Sequence, residues 1–160
     1  MVFEISLVIY LLRIIPSSSI SCPLHCKCVW YARSTLVDVY CRSRGLTEFP
    51  RDIPNQAYVL DLQDNELGEV TEHDFVNLTN LYRLTLSNAS LSKIVPGTFV
   101  WLQKLKYLSL DNNNLQELDT DTFVSLPRLQ RLGLSNNKLR NINPNAFRDI
   151  EQVDTLDLYK

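Results

Sequence analysis

The residues with the clearest capacity for chemistry are four cysteines, Cys22, Cys26, Cys28 and Cys41, with His25 between the first two. Thiolates and an imidazole at such close spacing could hold a zinc ion in a structural site. The same even number of cysteines could instead form two disulfides if the chain is secreted. Four cysteines permit three disulfide pairings, and their spacing alone does not choose among them.

The first residues of the chain favour disulfides over zinc. Ile5 to Leu12 is an uncharged apolar run, and Ser19 and Ser21 form a small-x-small cleavage site before Cys22. We therefore predict a signal peptide over residues 1–21. An uncleaved signal anchor is the alternative, but the run is far shorter than the roughly 20 apolar residues that span a bilayer. Because secretion favours oxidation, we predict disulfides and neither a metal ion nor another cofactor.

Apolar residues recur every 24 positions along the rest of the chain. Three series keep this step: Leu60, Leu84, Leu108, Leu132 and Leu156; Leu62, Leu86, Leu110, Leu134 and Leu158; and Phe75, Phe99, Phe123 and Phe147. Leu105, Leu108 and Leu110 fit the pattern L-x-x-L-x-L, and Asn113 and Leu115 supply the N-x-L that follows. This spacing and period are typical of a leucine-rich repeat.

The repeat pattern predicts both the fold and its core. The two leucines of each L-x-L point to one side of a short strand, and a single repeat cannot bury them. Stacked repeats join the strands into one parallel sheet with a continuous core. The predicted fold class is therefore α/β, a leucine-rich repeat solenoid with a curved parallel sheet on the concave face and an irregular or short helical convex side. An asparagine follows each strand except in the second repeat, where Ala89 replaces it.

Residues 22–56 are predicted to form a cysteine-rich cap over the N-terminal end of this stack. They resemble the N-terminal cap of extracellular leucine-rich repeat proteins, a group that includes Slit, small proteoglycans and many neuronal receptors. The resemblance implies disulfides between Cys22 and Cys28 and between Cys26 and Cys41. Within the cap, Val37 to Cys41 is predicted to be an edge strand that covers the first core leucines.

The remaining domain, residues 57–160, is predicted to contain four complete repeats and a truncated fifth. The complete repeats are 57–80, 81–104, 105–128 and 129–152. The chain stops within the predicted fifth strand, which would leave core leucines exposed and a strand edge unpaired. We therefore expect this sequence to be part of a longer protein. Any membrane attachment would lie beyond residue 160.

The strand side chains that face away from the core predict a binding surface on the concave face. Tyr and Arg are favoured at the energetic centres of interfaces, and Tyr107 has Arg83 and Arg131 at the same position of the neighbouring repeats. We predict a protein-binding site that also includes Asp111 and Tyr159. Two glycosylation sequons begin at Asn77 and Asn88.

These features predict an extracellular protein-binding module. The chain would be secreted or lie on the extracellular side of the plasma membrane, as the N-terminal part of an adhesion, guidance or receptor protein. The alternatives are a matrix structural protein and the recognition arm of a larger matrix enzyme. The net charge of −2 predicts no nucleic-acid partner. We predict no catalysis, because an open stack gives His25 and His73 neither a nucleophile nor an enclosing pocket.

Overall fold

A computed structural model describes residues 21–159, so most of the predicted signal peptide lies outside the described residues. Its main sheet contains seven strands in the order β1-β2-β3-β4-β5-β7-β9, and a second sheet pairs β6 with β8. The strands are β1 Lys27–Trp30, β2 Val37–Tyr40, β3 Ala57–Asp61, β4 Arg83–Thr85, β5 Tyr107–Ser109, β6 Glu117–Leu118, β7 Arg131–Gly133, β8 Asn141–Ile142 and β9 Thr155–Asp157.

The main sheet confirms the predicted solenoid. From β2 onward its strands are parallel, and equivalent leucines of successive repeats are register partners: Leu60 with Leu84, Leu84 with Leu108, Leu108 with Leu132 and Leu132 with Leu156. These partners are 24 residues apart in sequence, so each repeat adds one strand to the main sheet. Side chains alternate between the two faces of a strand, which leaves the flanking residues of each leucine on the concave side.

The prediction that the strand beginning at Val37 lies at the edge of the sheet was wrong. β2 is the second strand of the sheet, and β1 is its outer edge. β1 runs antiparallel to β2, with Cys28 opposite Val39. Residues 27–30 contain no repeat pattern and no regular alternation of apolar and polar side chains, so no strand was predicted there. The sheet therefore extends one strand further than predicted.

The core of the stack is a row of phenylalanines behind the leucines. The ring centroids of Phe49 and Phe75 are 5.2 Å apart, those of Phe75 and Phe99 are 5.6 Å apart, and those of Phe99 and Phe123 are 6.4 Å apart. Phe123 continues the row to Phe147 at 5.8 Å. Phe75, Phe99 and Phe123 are fully buried. Aromatic pairs at such distances add to the stabilisation from burial.

The convex side is made mostly of turns, as predicted. It contains one short 3₁₀ helix, Glu72–Phe75, and the two-stranded sheet of β6 and β8. Asp74 accepts a hydrogen bond of 2.7 Å from the Thr71 N–H at the start of that helix. Between residues 21 and 159 there is no helix of the length and apolarity that crossing a membrane requires.

The asparagine that follows a strand forms hydrogen bonds with the corresponding turn one repeat earlier in the chain. Asn65, Asn113 and Asn137 have this role. The buried Asn113 accepts hydrogen bonds from the N–H groups of Ala89 and Leu91, at 3.0 and 2.9 Å. Its amide nitrogen donates to the carbonyls of Leu86 and Leu110, at 2.8 and 2.9 Å. Asn65, two repeats earlier, and Asn137, one repeat later, make corresponding bonds. Backbone groups that have no sheet partner are satisfied in this way.

Ala89 interrupts this row of asparagines, and the local backbone differs there. Ser90 has a positive φ of 60°, which none of its equivalents in the other repeats shares. In residues 21–159 no side chain accepts a hydrogen bond from the Leu67 N–H. Its equivalent in the next repeat is the Leu91 N–H, which donates to Asn113.

We expect Ala89→Asn to raise the free energy of unfolding by about 1 kcal/mol, the net value of a typical buried hydrogen bond. The new amide oxygen would accept from the Leu67 N–H. Urea denaturation measures the change, with Ala89→Leu as the control that fills similar space without a polar group. An unchanged or lower midpoint for Ala89→Asn would contradict the expectation.

Candidate protein-binding surface

Two disulfides fix the cap against the first strands. Cys22 is bonded to Cys28 and Cys26 to Cys41, the pairing that the resemblance implies. No cysteine in residues 21–159 is free. Because all four thiols are oxidised, they are not available as thiolate ligands for zinc. The cysteines therefore position the surface and do not form a metal centre.

The concave face is built from the side chains beside the core leucines. The backbone register places one row of residues across the main sheet, one residue from each strand from β2 to β9. This first concave row is Asp38, Val59, Arg83, Tyr107, Arg131 and Thr155. Three of its members, Arg83, Tyr107 and Arg131, were predicted to be binding residues, and the structure places them side by side.

Tyr107 lies between two arginines. The guanidinium carbon of Arg83 is 4.6 Å from the centroid of the Tyr107 ring, and that of Arg131 is 5.8 Å from it. These distances are within the range of a cation–π interaction. Tyr107 is half-buried and both arginines are exposed. We refer to these three residues as the Arg–Tyr–Arg cluster.

Aromatic residues extend this cluster towards one rim of the concave face. The rings of Tyr82 and Tyr107 are 5.2 Å apart, and Tyr58 stacks on Tyr82 at 4.7 Å. The ammonium of Lys106 lies 5.6 Å from the Tyr82 ring. Hydrogen bonding with Tyr107, followed by burial, raises the pKa of Tyr82. Tyr82 is therefore neutral at physiological pH, and the positive charges here remain uncompensated by a phenolate.

The cations of this region have no carboxylate partner among residues 21–159. Arg83, Lys106 and Arg131 form none of the ion pairs found there, whereas Arg42 pairs with Asp64 at 3.0 Å on the rim. Their side-chain N–H groups also make no hydrogen bond with the described part of the chain. The concave face thus presents three unneutralised charges held against aromatic rings.

Asp111 was also predicted to bind protein, and its carboxylate is already engaged. It accepts a hydrogen bond of 2.8 Å from the Ser135 N–H and another from the Ser109 hydroxyl. A Cβ at Gly133 would overlap this carboxylate, so the glycine makes room for it. Asp111 therefore ties two neighbouring repeats together. Tyr159 is 77% exposed and lies beyond β9, away from the Arg–Tyr–Arg cluster.

A polar cluster that was not predicted from the sequence lies where the cap meets the concave face. The Asp38 side chain is only 5% exposed and begins the first concave row. One of its oxygens accepts hydrogen bonds from the hydroxyls of Tyr31 and Tyr40, at 2.5 and 3.2 Å. The alternation of Val37, Asp38, Val39 and Tyr40 could have revealed it, because Asp38 and Tyr40 share the outward face.

The hydrogen bond between Tyr31 and Asp38 makes the free energy of unfolding decrease at alkaline pH. The hydrogen bond to Asp38, followed by burial, raises the pKa of Tyr31 from 10.0 to about 12. Because the folded pKa is above the unfolded one, the protonated Tyr31 contributes stability below pH 10. That contribution is lost as the pH rises through about 12.

We expect the unfolding free energy of the wild type to fall more steeply than that of Tyr31→Phe between about pH 10 and 12, because the variant lacks the titrating hydroxyl. Denaturant titrations at a series of pH values measure both curves. Tyr159→Phe is the matched control, since Tyr159 is exposed and outside the cluster, and it should follow the wild type. Parallel curves for Tyr31→Phe and the wild type would exclude a role for the hydroxyl.

Both predicted glycosylation sites are exposed. Asn77 and Asn88 have positive φ values of 67° and 51° and lie in turns. The Asn88 amide donates to Asp64 at 3.0 Å, and Asn136 donates to Asn112 in the same way two repeats later. Asn88 therefore belongs to a second, exposed row of turn residues. Occupancy of both sequons stays a prediction.

The histidines lie apart from this surface. The His73 side chain is 83% exposed and 3.5 Å from the Glu72 carboxylate, in the short 3₁₀ helix of the convex side. His25 is exposed in the cap, with a positive φ of 68°. Residues 21–159 contain no group of three or more His, Cys, Asp or Glu side chains arranged to hold a metal ion.

Comparisons with known proteins agree with this architecture. The family model described as "Leucine rich repeat" matches residues 55–115 and 103–159, and "Leucine rich repeat N-terminal domain" matches residues 21–54. The chain is also similar to the crystal structure of a TLR13–ssRNA13 complex, with 31% identity and a TM-score of 0.64. That similarity covers 66% of this chain and 15% of the other.

Three curated relatives show similar levels of identity. Biglycan from Xenopus laevis is 41% identical over 39% of this chain, and decorin from Homo sapiens is 39% identical over 43% of it. Asporin from Bos taurus is 41% identical over 40% of the chain. The matched regions span only 16%, 18% and 16% of these relatives' length, respectively.

The two disulfides and the cap domain establish where the protein is found, because disulfides persist in oxidising, extracellular compartments. The protein is secreted or lies on the extracellular side of the plasma membrane. Its repeats match over residues 55–159, and its cap matches immediately before them. The chain therefore belongs to the leucine-rich repeat family and carries that family's N-terminal cap domain.

Proposed function

We propose that this chain is an extracellular protein-binding module that holds its partner on the concave face. The observation that carries the proposal is the Arg–Tyr–Arg cluster, in which two exposed guanidinium groups flank one tyrosine ring. Residues of these types dominate the energetics of many protein interfaces. Seven strands spaced about 4.8 Å apart give the face a length of roughly 29 Å, which suits an extended contact.

The rigidity of the cluster supports this function. Its backbone lies in β4, β5 and β7, which are paired in a regular parallel register. The side chains contact one another before any partner arrives, so little conformational freedom remains to be lost on binding. Preorganisation of this kind raises affinity by reducing the cost of association.

The whole protein is proposed to act in adhesion, guidance or reception at the cell surface. The alternatives are a matrix structural protein and the recognition arm of a larger matrix enzyme. Sequence beyond Lys160 distinguishes them by a transmembrane helix, a second cysteine cap with secretion, or a catalytic domain. In each case we infer that residues 22–160 recognise a partner and do not catalyse a reaction.

The proposal is tested by screening the secreted protein against purified extracellular proteins and measuring the affinity for the strongest partner. Tyr107→Ala and Arg131→Ala should each weaken binding by about 30-fold, the effect of losing about 2 kcal/mol at an interface centre. Arg128→Ala is the control, since Arg128 is exposed outside the concave rows. A partner that binds all variants equally would refute the concave face as the site.

Glycans are proposed at Asn77 and Asn88, and each should add mass to the secreted protein. Asn77→Gln and Asn88→Gln should each remove one glycan, and the double variant should be unaffected by enzymatic glycan removal. Mass spectrometry of the intact protein measures these changes. A wild-type mass that is unchanged by glycan removal would exclude both sites.

A further inference from the structure

We infer that the Arg–Tyr–Arg cluster recognises an acidic segment of a protein partner, with carboxylates contacting Arg83 and Arg131. This inference rests on the proposed function, because it specifies the chemistry of the partner that the concave face binds. It follows from three features of the described residues: the unneutralised charge, the fixed geometry of the two guanidinium groups, and the position of carboxylates elsewhere on the face.

The first feature is that the positive charges at and beside the cluster have no carboxylate partner among the described residues. Arg83, Lys106 and Arg131 make no ion pair within residues 21–159, although carboxylates are common on the same molecule. An arginine has five N–H donors in a planar fork that matches a carboxylate. Here those donors are unused and exposed. An acidic side chain would therefore gain charge-assisted hydrogen bonds without displacing an existing partner.

The second feature is the fixed placement of the guanidinium groups. Arg83 and Arg131 contact the Tyr107 ring from the two neighbouring strands, at 4.6 and 5.8 Å. The strands that carry them are two spacings apart, about 9.6 Å. Two acidic residues a few positions apart on an extended segment could reach both. The ring also excludes water from one side of each cation, which strengthens its attraction for an anion.

The third feature favours discrete acidic residues over a continuous polyanion. Asp61 is the register partner of Thr85, two residues after Arg83, and the Asp111 carboxylate lies beside Ser109 and Gly133, two residues after Tyr107 and Arg131. Both carboxylates accept backbone hydrogen bonds, Asp61 from Gln63 at 3.0 Å and Asp111 from Ser135 at 2.8 Å, so they are held in place. A nucleic-acid strand lying across the face would meet these charges and be repelled. A protein segment can place its acids on the cluster and neutral or basic residues beside it.

The test is a selection of random short peptides displayed on phage, using the full secreted protein as the target. Peptides retained by the wild type should be enriched in Asp and Glu relative to the starting library. Individual peptides should bind Arg83→Gln/Arg131→Gln about tenfold more weakly or worse, since two charge-assisted contacts are lost. Arg51→Gln/Arg128→Gln removes the same charge from exposed residues outside the concave rows and should bind normally.

A charge-reversed variant makes the test independent of any loss of folding. Arg83→Glu/Arg131→Glu should select peptides enriched in Lys and Arg, provided that its thermal midpoint is close to that of the wild type. Failure of this reversed selection in a folded variant would overturn the inference.

Three other outcomes are also decisive. Selected peptides without acidic enrichment that lose binding in Tyr107→Ala would overturn the inference but leave the proposed function intact. Peptides that bind regardless of all concave-face variants would overturn both. A single-stranded RNA oligonucleotide that binds the wild type but not Arg83→Gln/Arg131→Gln, while no acidic peptide is selected, would assign the cluster to nucleic acid and overturn the protein segment as its ligand.

Discussion

Asn113→Ala is expected to lower the free energy of unfolding by about 4 kcal/mol, because each buried backbone group left without a partner costs about 1–3 kcal/mol. The Asn113 amide serves the N–H groups of Ala89 and Leu91 and the carbonyl of Leu86. An alanine removes these bonds, and water cannot replace them, because Asn113 is only 4% exposed. Urea denaturation at neutral pH measures the difference.

Asn112→Gly is the matched control, one residue away in the same turn, because glycine adopts the positive φ of 57° at this position without strain and alanine does not. Asn112 is exposed, and its oxygen accepts one bond of 3.0 Å from the Asn136 amide. Its loss should cost about 1 kcal/mol or less, because water replaces the partner. Similar losses for the two variants would mean that the buried amide is not the main tie between repeats.

Phe99→Ala is expected to cost about 4 kcal/mol, within the range of buried phenylalanine truncations. The Phe99 ring is fully buried and lies between Phe75 at 5.6 Å and Phe123 at 6.4 Å. Its removal leaves a cavity in the middle of the phenylalanine row. Neighbouring rings are held by their own repeats, so they cannot close it fully.

Two variants separate the cavity from a general loss of apolar surface. Phe99→Leu keeps most of the buried volume and should cost clearly less than Phe99→Ala. Trp101→Ala, two residues away, removes a larger side chain that is 40% exposed and should also cost less. If Trp101→Ala were the more damaging change, the phenylalanine row would not be the centre of the core.

The repeats were predictable because one period sets both sequence and structure. Leucines at 24-residue steps become register partners, and alternation within each strand assigns Arg83, Tyr107 and Arg131 to the concave face. The contacts between their side chains were not predictable in detail. Whether an arginine stacks on Tyr107 or pairs with a carboxylate depends on side-chain geometry that spacing does not determine.

The cap and the turns were less predictable for a related reason. β1 has no counterpart in the repeats and is held by the disulfides and its antiparallel pairing with β2. The register places Asp38 opposite Val59, but the bonds of its carboxylate to Tyr31 and Tyr40 depend on the path of the chain between β1 and β2, which has no repeat pattern. The engagement of Asp111 depends on Ser135, a partner 24 residues away. Such contacts follow from the folded stack and not from the local sequence.

The asparagine hydrogen bonds connect turns to side chains that lie later in the sequence, which affects how the chain folds during synthesis. Asn113 completes the turn at residues 89–91, and Asn137 accepts a bond from Leu115, so both of these turns depend on an amide that is translated one repeat later. A growing chain emerges from its N-terminus. These two repeats must therefore wait for about another 24 residues before their turns are satisfied. The cap, which the disulfide between Cys26 and Cys41 closes, precedes the repeats in the chain and gives the lengthening stack a finished end from which to fold.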